Sequence, residues 1–222
     1  MDGAASRRAR RLCLALTMLA APAGADPVAS TPVPATAAAP STTTATPSPD
    51  VVTIADRVRT AGDNAGQAYV IIDKRNARAF AYAADGSLRG TAPVLLGLAR
   101  GDINPPGIGE RPLSAIGPAD RVTAAGRYVA QLGNDLGKND ILWVDYAASL
   151  SLHRVITGKP SDQRQRRLMS PSPDDNRISY GCINVPADFF DRVVRPLFLG
   201  TVGIVYILPE QRDLRDVFPS LP

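Results

Sequence analysis

The sequence contains few of the side chains that bind transition metals or form disulfides. Its 222 residues include two cysteines, Cys13 and Cys182, and one histidine, His153. These three side chains cannot build the usual zinc ligand sets, so the sequence predicts no metal site. A phosphate-binding glycine loop is also missing, because the glycines at 107 and 109 are not followed by a Lys-Ser or Lys-Thr pair. We therefore expect a protein that works without a cofactor.

Long hydrophobic runs are missing as well. An α-helix needs about 20 apolar residues to span a bilayer, and the apolar run near the N-terminus covers only residues 12–21. Four arginines precede this run, and Ala23-Gly24-Ala25 follows it. A basic start, a short apolar core and a small-residue cleavage site are typical of a secretory signal peptide. We predict a signal peptide over residues 1–25, an exported protein of the periplasm or cell envelope, and membrane contact only through this leader before cleavage.

Without the leader, the chain has almost no excess of either charge. The leader carries four of the 25 basic residues and one of the 21 acidic residues, which leaves 21 against 20 and a net charge of +1. No basic patch is interleaved with aromatic residues, so nucleic acid is not the expected partner. Cys182 is then the only thiol of the exported chain, and it cannot form an internal disulfide. It is a buried bystander, an intermolecular partner or a reactive group.

Composition divides the exported chain into two parts. Residues 26–50 are dominated by Pro, Ala, Thr and Ser, with too few large apolar side chains to stabilise a fold, which predicts an extended linker. Residues 51–222 form one domain of 172 residues (222 − 51 + 1), which is enough for a single core.

The periodicity of apolar residues predicts a domain with more strands than helices. Amphipathic patterns predict two helices, and runs of β-branched and aromatic residues predict strands, with a hairpin turn at Asp85-Gly86. The helices are expected at 51–60 and 187–198, and the strands at 68–73, 79–83, 92–96, 141–146, 149–155 and 202–208. The predicted fold class is mainly β, a sandwich or barrel-like sheet with a few short helices.

The chemistry of the chain is concentrated around Cys182. The preceding Gly181 lets the backbone turn tightly, so that peptide N–H groups can point toward the target of the sulfur and stabilise an oxyanion. A thiol with a pKa of about 8.5 is only slightly ionised at neutral pH, so it needs a base. His153 lies 29 residues upstream (182 − 153) in a strand-like run, and adjacent strands can bring the two together. A histidine satisfied in the core is the alternative, but together the pair favours nucleophilic catalysis.

The segment 179–184, Ser-Tyr-Gly-Cys-Ile-Asn, resembles the Ser/Thr-His-Gly-Cys-apolar-Asn/Arg signature of the YkuD-type L,D-transpeptidases. His153 resembles the upstream histidine of that family, and residues 94–97 and 122–128 resemble two of its strand segments. The resemblance extends over most of residues 68–208 and implies a β-sandwich with the cysteine in a cleft. It also implies site roles: Cys182 as nucleophile, His153 as base, the peptide N–H groups of Tyr180, Gly181 and Cys182 as oxyanion donors, and Asn184 and Ser179 as supports of the loop.

The resemblance implies a two-step reaction on peptidoglycan. Cys182 would attack the carbonyl between an L-centre and a D-residue of a stem tetrapeptide and expel D-alanine, and an amine acceptor would then take the acyl group. The predicted function is an L,D-transpeptidase-like cysteine acyltransferase of cell-wall biogenesis, with peptidoglycan stem peptides as partners. The alternatives are an L,D-carboxypeptidase or amidase, a non-catalytic peptidoglycan-binding domain and, more remotely, a sortase-like thiol hydrolase. The sequence leaves the acceptor open.

Two features depart from the family pattern. Tyr180 stands where the motif has its own histidine, which removes a charge that could lower the pKa of the thiol. The connection between His153 and Cys182 is longer than usual, and the extra residues fall within 158–177. This segment is a solvated loop or a lid whose arginines bind stem-peptide carboxylates. Arg177, next to the motif, is the better candidate for such a substrate contact.

Overall fold

The structure is a computed structural model, and it describes residues 45–135, 137 and 139–219. The predicted signal peptide and residues 26–44 of the predicted linker lie outside the described residues. Within the described ranges, no helix combines the length and apolar character that crossing a membrane requires.

The first helix, α1 (Pro49–Ala61), has a signal at each end. The Ser48 hydroxyl accepts a hydrogen bond from the Val51 N–H at 3.4 Å, Pro49 occupies the first turn, and Gly62 ends the helix with a φ of 65°. Val51, Ile54 and Val58 form its buried stripe. The helix predicted over residues 51–60 is therefore confirmed, with two further residues at its start and one at its end.

Ten strands form the body of the part of the chain that the structure describes. They are β1 (Tyr69–Asp73), β2 (Arg78–Tyr82), β3 (Leu88–Pro93), β4 (Leu96–Gly97), β5 (Gly126–Asn134), β6 (Asp140–Asp145), β7 (Leu150–Arg154), β8 (Arg177–Ser179), β9 (Ile183–Val185) and β10 (Val202–Ile207). Eight of them make one sheet in the order β3-β2-β1-β10-β5-β6-β7-β9, and β4 pairs with β8. The β1–β10, β7–β9 and β4–β8 pairs are parallel, and the other pairs are antiparallel.

The large sheet curls until its two ends nearly meet. Leu95, just after β3, exchanges both backbone hydrogen bonds with Asn184 of β9, at 2.8 and 2.9 Å. The interior of the curled sheet is filled by apolar side chains such as Val70, Leu142 and Leu152. A second cluster on the outer face packs α1 against β1 and β10. The predicted mainly β fold with a few short helices is confirmed.

The predicted helix over residues 187–198 is interrupted in its hydrogen bonding. It consists of α3 (Ala187–Phe189), a π-helical turn at Phe190–Val194 and α4 (Arg195–Phe198). Pro196 has no N–H to donate to the preceding turn, which accounts for the wider turn just before it. Phe189, Phe190, Val194 and Phe198 still reach the interior core, as the apolar stripe predicts.

Two strands differ from the sequence expectation. The run predicted at 92–96 is divided, because β3 ends at Pro93 and β4 begins at Leu96. Strand β5 extends well beyond the segment at 122–128 that the resemblance indicated. Of its nine residues only Ala130 is fully buried, so the strand carries little apolar periodicity.

The remaining short elements lie in the long connections. Helix α2 (Arg164–Leu168) lies between β7 and β8, and α5 (Leu214–Val217) lies near the C-terminus. Among the described residues, 3-10 turns occur at Ile108–Glu110, Leu113–Ala115, Pro118–Asp120 and Pro160–Asp162.

Candidate active site

The register of β7 against β9 brings the two predicted catalytic residues to one face of the sheet. Leu152 pairs with Ile183, and His153 pairs with Asn184. The side chains of Leu152 and Ile183 belong to the interior core. Because side chains alternate along a strand, those of His153 and Asn184 point to the opposite face, and Cys182, two residues before Asn184, joins them. Residues separated by 29 positions (182 − 153) thus share one site.

The imidazole of His153 is held in one tautomer. Its Nδ1 lies 2.7 Å from the carbonyl oxygen of Arg154. A carbonyl can only accept a hydrogen bond, so Nδ1 carries the hydrogen and Nε2 has the free lone pair in the neutral ring. Nε2 lies 3.5 Å from Nδ2 of Asn184. The nitrogen that can take up a proton is therefore the one on the side of the motif loop.

The sulfur of Cys182 has polar neighbours on β7 and in the turn before it. The Ser151 hydroxyl donates to Sγ at 3.5 Å, and Sγ lies 3.6 Å from the carbonyl oxygen of Ser149. Burial raises the pKa of the Cys182 thiol, but hydrogen bonds from His153 and Ser151 outweigh this effect and hold the pKa below its ordinary value. Burial likewise lowers the pKa of His153, whereas the hydrogen bond and charge of Cys182 raise it above the ordinary value. Both shifts favour a thiolate–imidazolium pair.

The motif residues support the loop through hydrogen bonds to the carbonyl oxygen of Cys182. The Ser179 hydroxyl donates to it at 2.7 Å, and Nδ2 of Asn184 donates to it at 3.2 Å. Ser179 Oγ also accepts the N–H of Gly181 at 3.1 Å, so one of the three predicted oxyanion donors is used within the loop. Gly181 has a φ of 134°, and a Cβ at this position would lie 2.8 Å from the carbonyl oxygen of Val122. Only glycine fits this backbone.

Thr123 is a second support of the loop that the sequence analysis did not single out. Its hydroxyl donates to the carbonyl oxygen of Gly181 at 2.7 Å and accepts the N–H of Gly97 at 2.9 Å. Its own carbonyl oxygen accepts a hydrogen bond from the buried ammonium of Lys74 at 2.8 Å. The signal available in the sequence was its place in the strand segment at 122–128 that resembles the family.

The Tyr180 side chain lines the smaller of the two cavities beside Cys182 and contacts Arg121. The guanidinium carbon of Arg121 lies 3.9 Å from the centre of the Tyr180 ring, in a cation–π contact. The ring remains 38% exposed. Tyr180 therefore contributes its backbone to the loop and its ring to the surface beside it.

Two cavities meet at Cys182. The smaller one has a volume of about 170 Å³ and is lined by apolar side chains such as Ile108, Leu113 and Ile116. The larger one has a volume of about 850 Å³ and is lined by His153 and Trp143, among others. Cys182 and Ser149 line both cavities. The sulfur can thus be approached from two sides.

Arg177 does not have the environment of a substrate contact. Its side chain is 6% exposed, and its guanidinium donates to the Glu210 carboxylate at 2.5 and 3.1 Å and to the Lys74 carbonyl at 2.9 Å. Neither of the two cavities beside Cys182, as the described residues form them, includes Arg177. The structure places it in a buried ion cluster with Glu210, Lys74 and Asp102.

Arg164 connects the long 158–177 segment to the site. Its guanidinium donates to Oδ1 of Asn184 at 3.2 Å and to Asp162 at 3.2 Å, and its side chain is only 11% exposed. Arg166 and Arg167 make local contacts within the segment, to Gln163, Asp162 and Asp175. The segment therefore directs one arginine toward the motif.

Across the part of the chain that the structure describes, no group of three or more His, Cys, Asp or Glu side chains could hold a metal ion.

Comparison with known proteins finds distant matches among solved structures. Neither a family model nor a curated protein matches the chain. Among solved structures, the helical cell shape determining protein Pgp2 from Campylobacter jejuni is 15% identical, with a TM-score of 0.42 over 66% of this chain and 49% of that chain. The catalytic domain of an L,D-transpeptidase from E. faecium is 15% identical, with a TM-score of 0.35 over 64% of this chain and 98% of that chain.

An L,D-transpeptidase from Mycobacterium smegmatis is 13% identical, with a TM-score of 0.33 over 64% of this chain and 58% of that chain. The chain spans about half the length of Pgp2. The function of this chain therefore has to be inferred from the residues around Cys182.

Proposed function

We propose that this chain is a cysteine acyltransferase of bacterial cell-wall peptides, of the L,D-transpeptidase kind, that works through an acyl-enzyme on Cys182. The observation that carries the proposal is that Cys182 and His153, the single histidine of the sequence, face the same side of the β7–β9 pair. His153 is fixed by the Arg154 carbonyl with its basic nitrogen toward the motif loop. A nucleophile, an adjacent base and a group that orients the base together are typical of nucleophilic catalysis.

In the first step, the Cys182 thiolate attacks the carbonyl carbon between the L-centre and the D-residue of a stem tetrapeptide. A carbon–sulfur bond forms, and the electron pair of the carbonyl moves to its oxygen. The peptide N–H groups of Tyr180 and Cys182 are the proposed donors to this oxyanion. The tetrahedral intermediate then expels D-alanine, whose amine takes the proton from Nε2 of His153, and a thioester remains.

In the second step, an amine of a second stem peptide attacks the thioester. His153 accepts the proton of this amine, and the carbon–sulfur bond breaks to return the thiolate. The two cavities on either side of the sulfur support such a scheme, because the acyl donor and the acceptor can approach from different sides. No cofactor takes part in either step.

Hydrolysis of the same acyl-enzyme is the second candidate. The larger cavity, with a volume of about 850 Å³, is lined by His153 and Cys182, which gives water a route to the thioester. The chain would then act as an L,D-carboxypeptidase. The predicted signal peptide supports action outside the cytoplasm, in the periplasm or cell envelope, where peptidoglycan is the substrate.

Incubation of the purified protein with defined disaccharide tetrapeptides, read by mass spectrometry, distinguishes these activities. Cross-linked dimers would support transfer, and tripeptide with free D-alanine alone would support hydrolysis. The Cys182→Ala variant should form neither product. If the wild-type protein binds the tetrapeptide but converts none of it, the catalytic proposal is wrong. The chain would then be a non-catalytic peptidoglycan-binding domain.

A further inference from the structure

Ser151 lies where the strand register places it beside the sulfur of Cys182. Leu152 pairs with Ile183 across the parallel β7–β9 ladder, so Ser151 and Cys182 occupy the preceding position on each strand. Both therefore face the site, as His153 does two residues later on β7. Ser151 is only 4% exposed, and its hydroxyl oxygen is 3.5 Å from Sγ.

The two oxygens next to the sulfur act in opposite directions. A neutral thiol can donate its hydrogen to the carbonyl oxygen of Ser149, at 3.6 Å, but a thiolate has no hydrogen to donate there. The Ser151 hydroxyl can rotate to donate to the sulfur, and a hydrogen bond to an ionised acceptor is about twice as strong as one to a neutral acceptor. Ser149 thus favours the thiol and Ser151 favours the thiolate.

The surroundings of Ser151 strengthen this effect. Trp143 pairs directly with Ser151 across β6 and β7, so its side chain lies on the same face. Both residues line the larger cavity together with Cys182. An apolar neighbour lowers the local dielectric constant, which strengthens a hydrogen bond to a charged atom. Tyr180, two residues before Cys182, carries no imidazole, and its phenol ring is in contact with the Arg121 guanidinium.

We propose that Ser151 is a further catalytic residue of this chain, which donates its hydroxyl hydrogen to the Cys182 sulfur whenever that sulfur is a thiolate. No proton leaves Ser151. When the carbon–sulfur bond forms, the sulfur lone pair passes to the carbonyl carbon and the hydrogen bond weakens. When the acceptor attacks and the carbon–sulfur bond breaks, the hydrogen bond is restored and stabilises the departing thiolate. This inference rests on the proposed role of Cys182 as nucleophile.

The test titrates the thiol directly and needs no peptidoglycan. The rate of iodoacetamide alkylation is measured between roughly pH 5 and 10, as the mass of the peptide that contains Cys182, so that Cys13 does not contribute. The proteins are the wild type, Ser151→Ala, Ser151→Thr, which keeps a hydroxyl, and the exposed control Ser161→Ala. Fluorescence of Trp143, the single tryptophan, reports whether each variant is folded.

In Ser151→Ala, we expect the midpoint of the alkylation profile to rise by about one pH unit, so that the rate below both midpoints falls by up to about tenfold. The plateau rate at high pH should be equal to or higher than that of the wild type, because a more basic thiolate is intrinsically more nucleophilic. Ser151→Thr and Ser161→Ala should keep the wild-type midpoint. A loss only of packing would slow alkylation equally at every pH.

An unchanged midpoint in Ser151→Ala, or an equal loss of rate at all pH values, overturns the inference. The outcome is separable from that of the peptide assay. A shifted midpoint without conversion of tetrapeptides would retain Ser151 as the thiolate donor and reject the proposed acyltransferase function.

Discussion

At the scale of single residues, the site depends on a short chain of contacts in which each group has one function. The Arg154 carbonyl fixes the tautomer of His153, and His153 and Ser151 lower the pKa of the Cys182 thiol against the effect of burial. The lowered pKa of Cys182 and the raised pKa of His153 both increase the share of the thiolate–imidazolium form while the pair holds a single proton. Acyl transfer should therefore rise as pH passes the first ionisation step of the Cys182–His153 pair and fall as it passes the second step.

Replacement of His153 by glutamine should remove the base and leave the shape of the site. We expect kcat/KM for tetrapeptide conversion to fall about 10²- to 10⁴-fold, since that is the usual contribution of a positioned acid–base group. The bell-shaped pH profile should lose its descending limb, and the alkylation midpoint of Cys182 should move upward. Wild-type kcat/KM in this variant would show that another group serves as the base.

Gly181 and Gly200 form a matched pair for testing the motif loop. Both have a positive φ, of 134° and 73°, but only at Gly181 would a Cβ collide with backbone, 2.8 Å from the Val122 carbonyl oxygen. Gly181→Ala should move Cys182 and lower kcat/KM at least tenfold. Gly200→Ala should cost about 1 kcal/mol of stability through backbone strain and leave activity intact. Equal activities of the two variants would contradict a strict role for the loop geometry.

At the scale of elements, the parallel pairing of β7 with β9 creates the site. Both strands are short, at five and three residues. The connection between them crosses from residue 155 to residue 182 and includes α2. A register shift of one residue would turn Leu152 or Ile183 out of the interior core and turn His153 or Cys182 into it. Packing of the interior core therefore fixes the register that places the catalytic side chains at the site. The helix α2 then directs Arg164 toward Asn184.

Arg164 should act as a positioning residue for Asn184. Its hydrogen bond to Oδ1 leaves Nδ2 of Asn184 facing the Cys182 carbonyl and His153. Arg164→Ala should lower kcat/KM about tenfold, because a hydrogen bond with a charged donor contributes about 1.5–3 kcal/mol. Burial and, less strongly, the charge of Arg164 lower the pKa of His153, so the descending limb should also move to higher pH.

Arg164→Lys should recover part of this loss, since lysine keeps the charge but lacks the planar fork. Arg166→Ala is the matched control, because Arg166 contacts Gln163 on the exposed side of α2. If Arg164→Ala and Arg166→Ala behave alike in kcat/KM and in the pH profile, the segment is a surface loop without influence on catalysis.

At the scale of the whole molecule, a buried ion cluster joins distant parts of the chain. The Lys74 ammonium, with a fully buried side chain, donates to Asp102 at 2.7 Å and to the Thr123 carbonyl oxygen at 2.8 Å. The Asp102 carboxylate also accepts the N–H groups of Glu210, Gln211 and Arg212. Through the Thr123 hydroxyl, this cluster reaches the motif loop at Gly181.

Asp102→Asn should leave the Lys74 charge without its carboxylate partner and lower the free energy of unfolding by about 3–5 kcal/mol, measured in urea. Exposed Asp216→Asn should change it by less than about 0.5 kcal/mol. Burial raises the pKa of Asp102, but Lys74 and the three N–H donors lower it to about 2 from the ordinary 3.8. A lowered pKa stabilises the fold above the ordinary value, and this contribution is lost as pH falls toward 2. An acid-unfolding profile unchanged in Asp102→Asn would contradict this linkage.

The sequence alone determined the features that depend on neighbouring residues. The position of α1, the hairpin between β2 and β3 and most strands follow from turn chemistry and side-chain periodicity, which act over a few residues. The Cys182 motif was indicated by its resemblance to a known family. Only the tertiary structure decided which side chains meet. Ser151, Thr123 and Arg164 reach the loop, and Arg177 turns inward to Glu210, because a parallel register and a curled sheet bring distant segments together. These contacts depend on packing of the whole core, which no local pattern encodes.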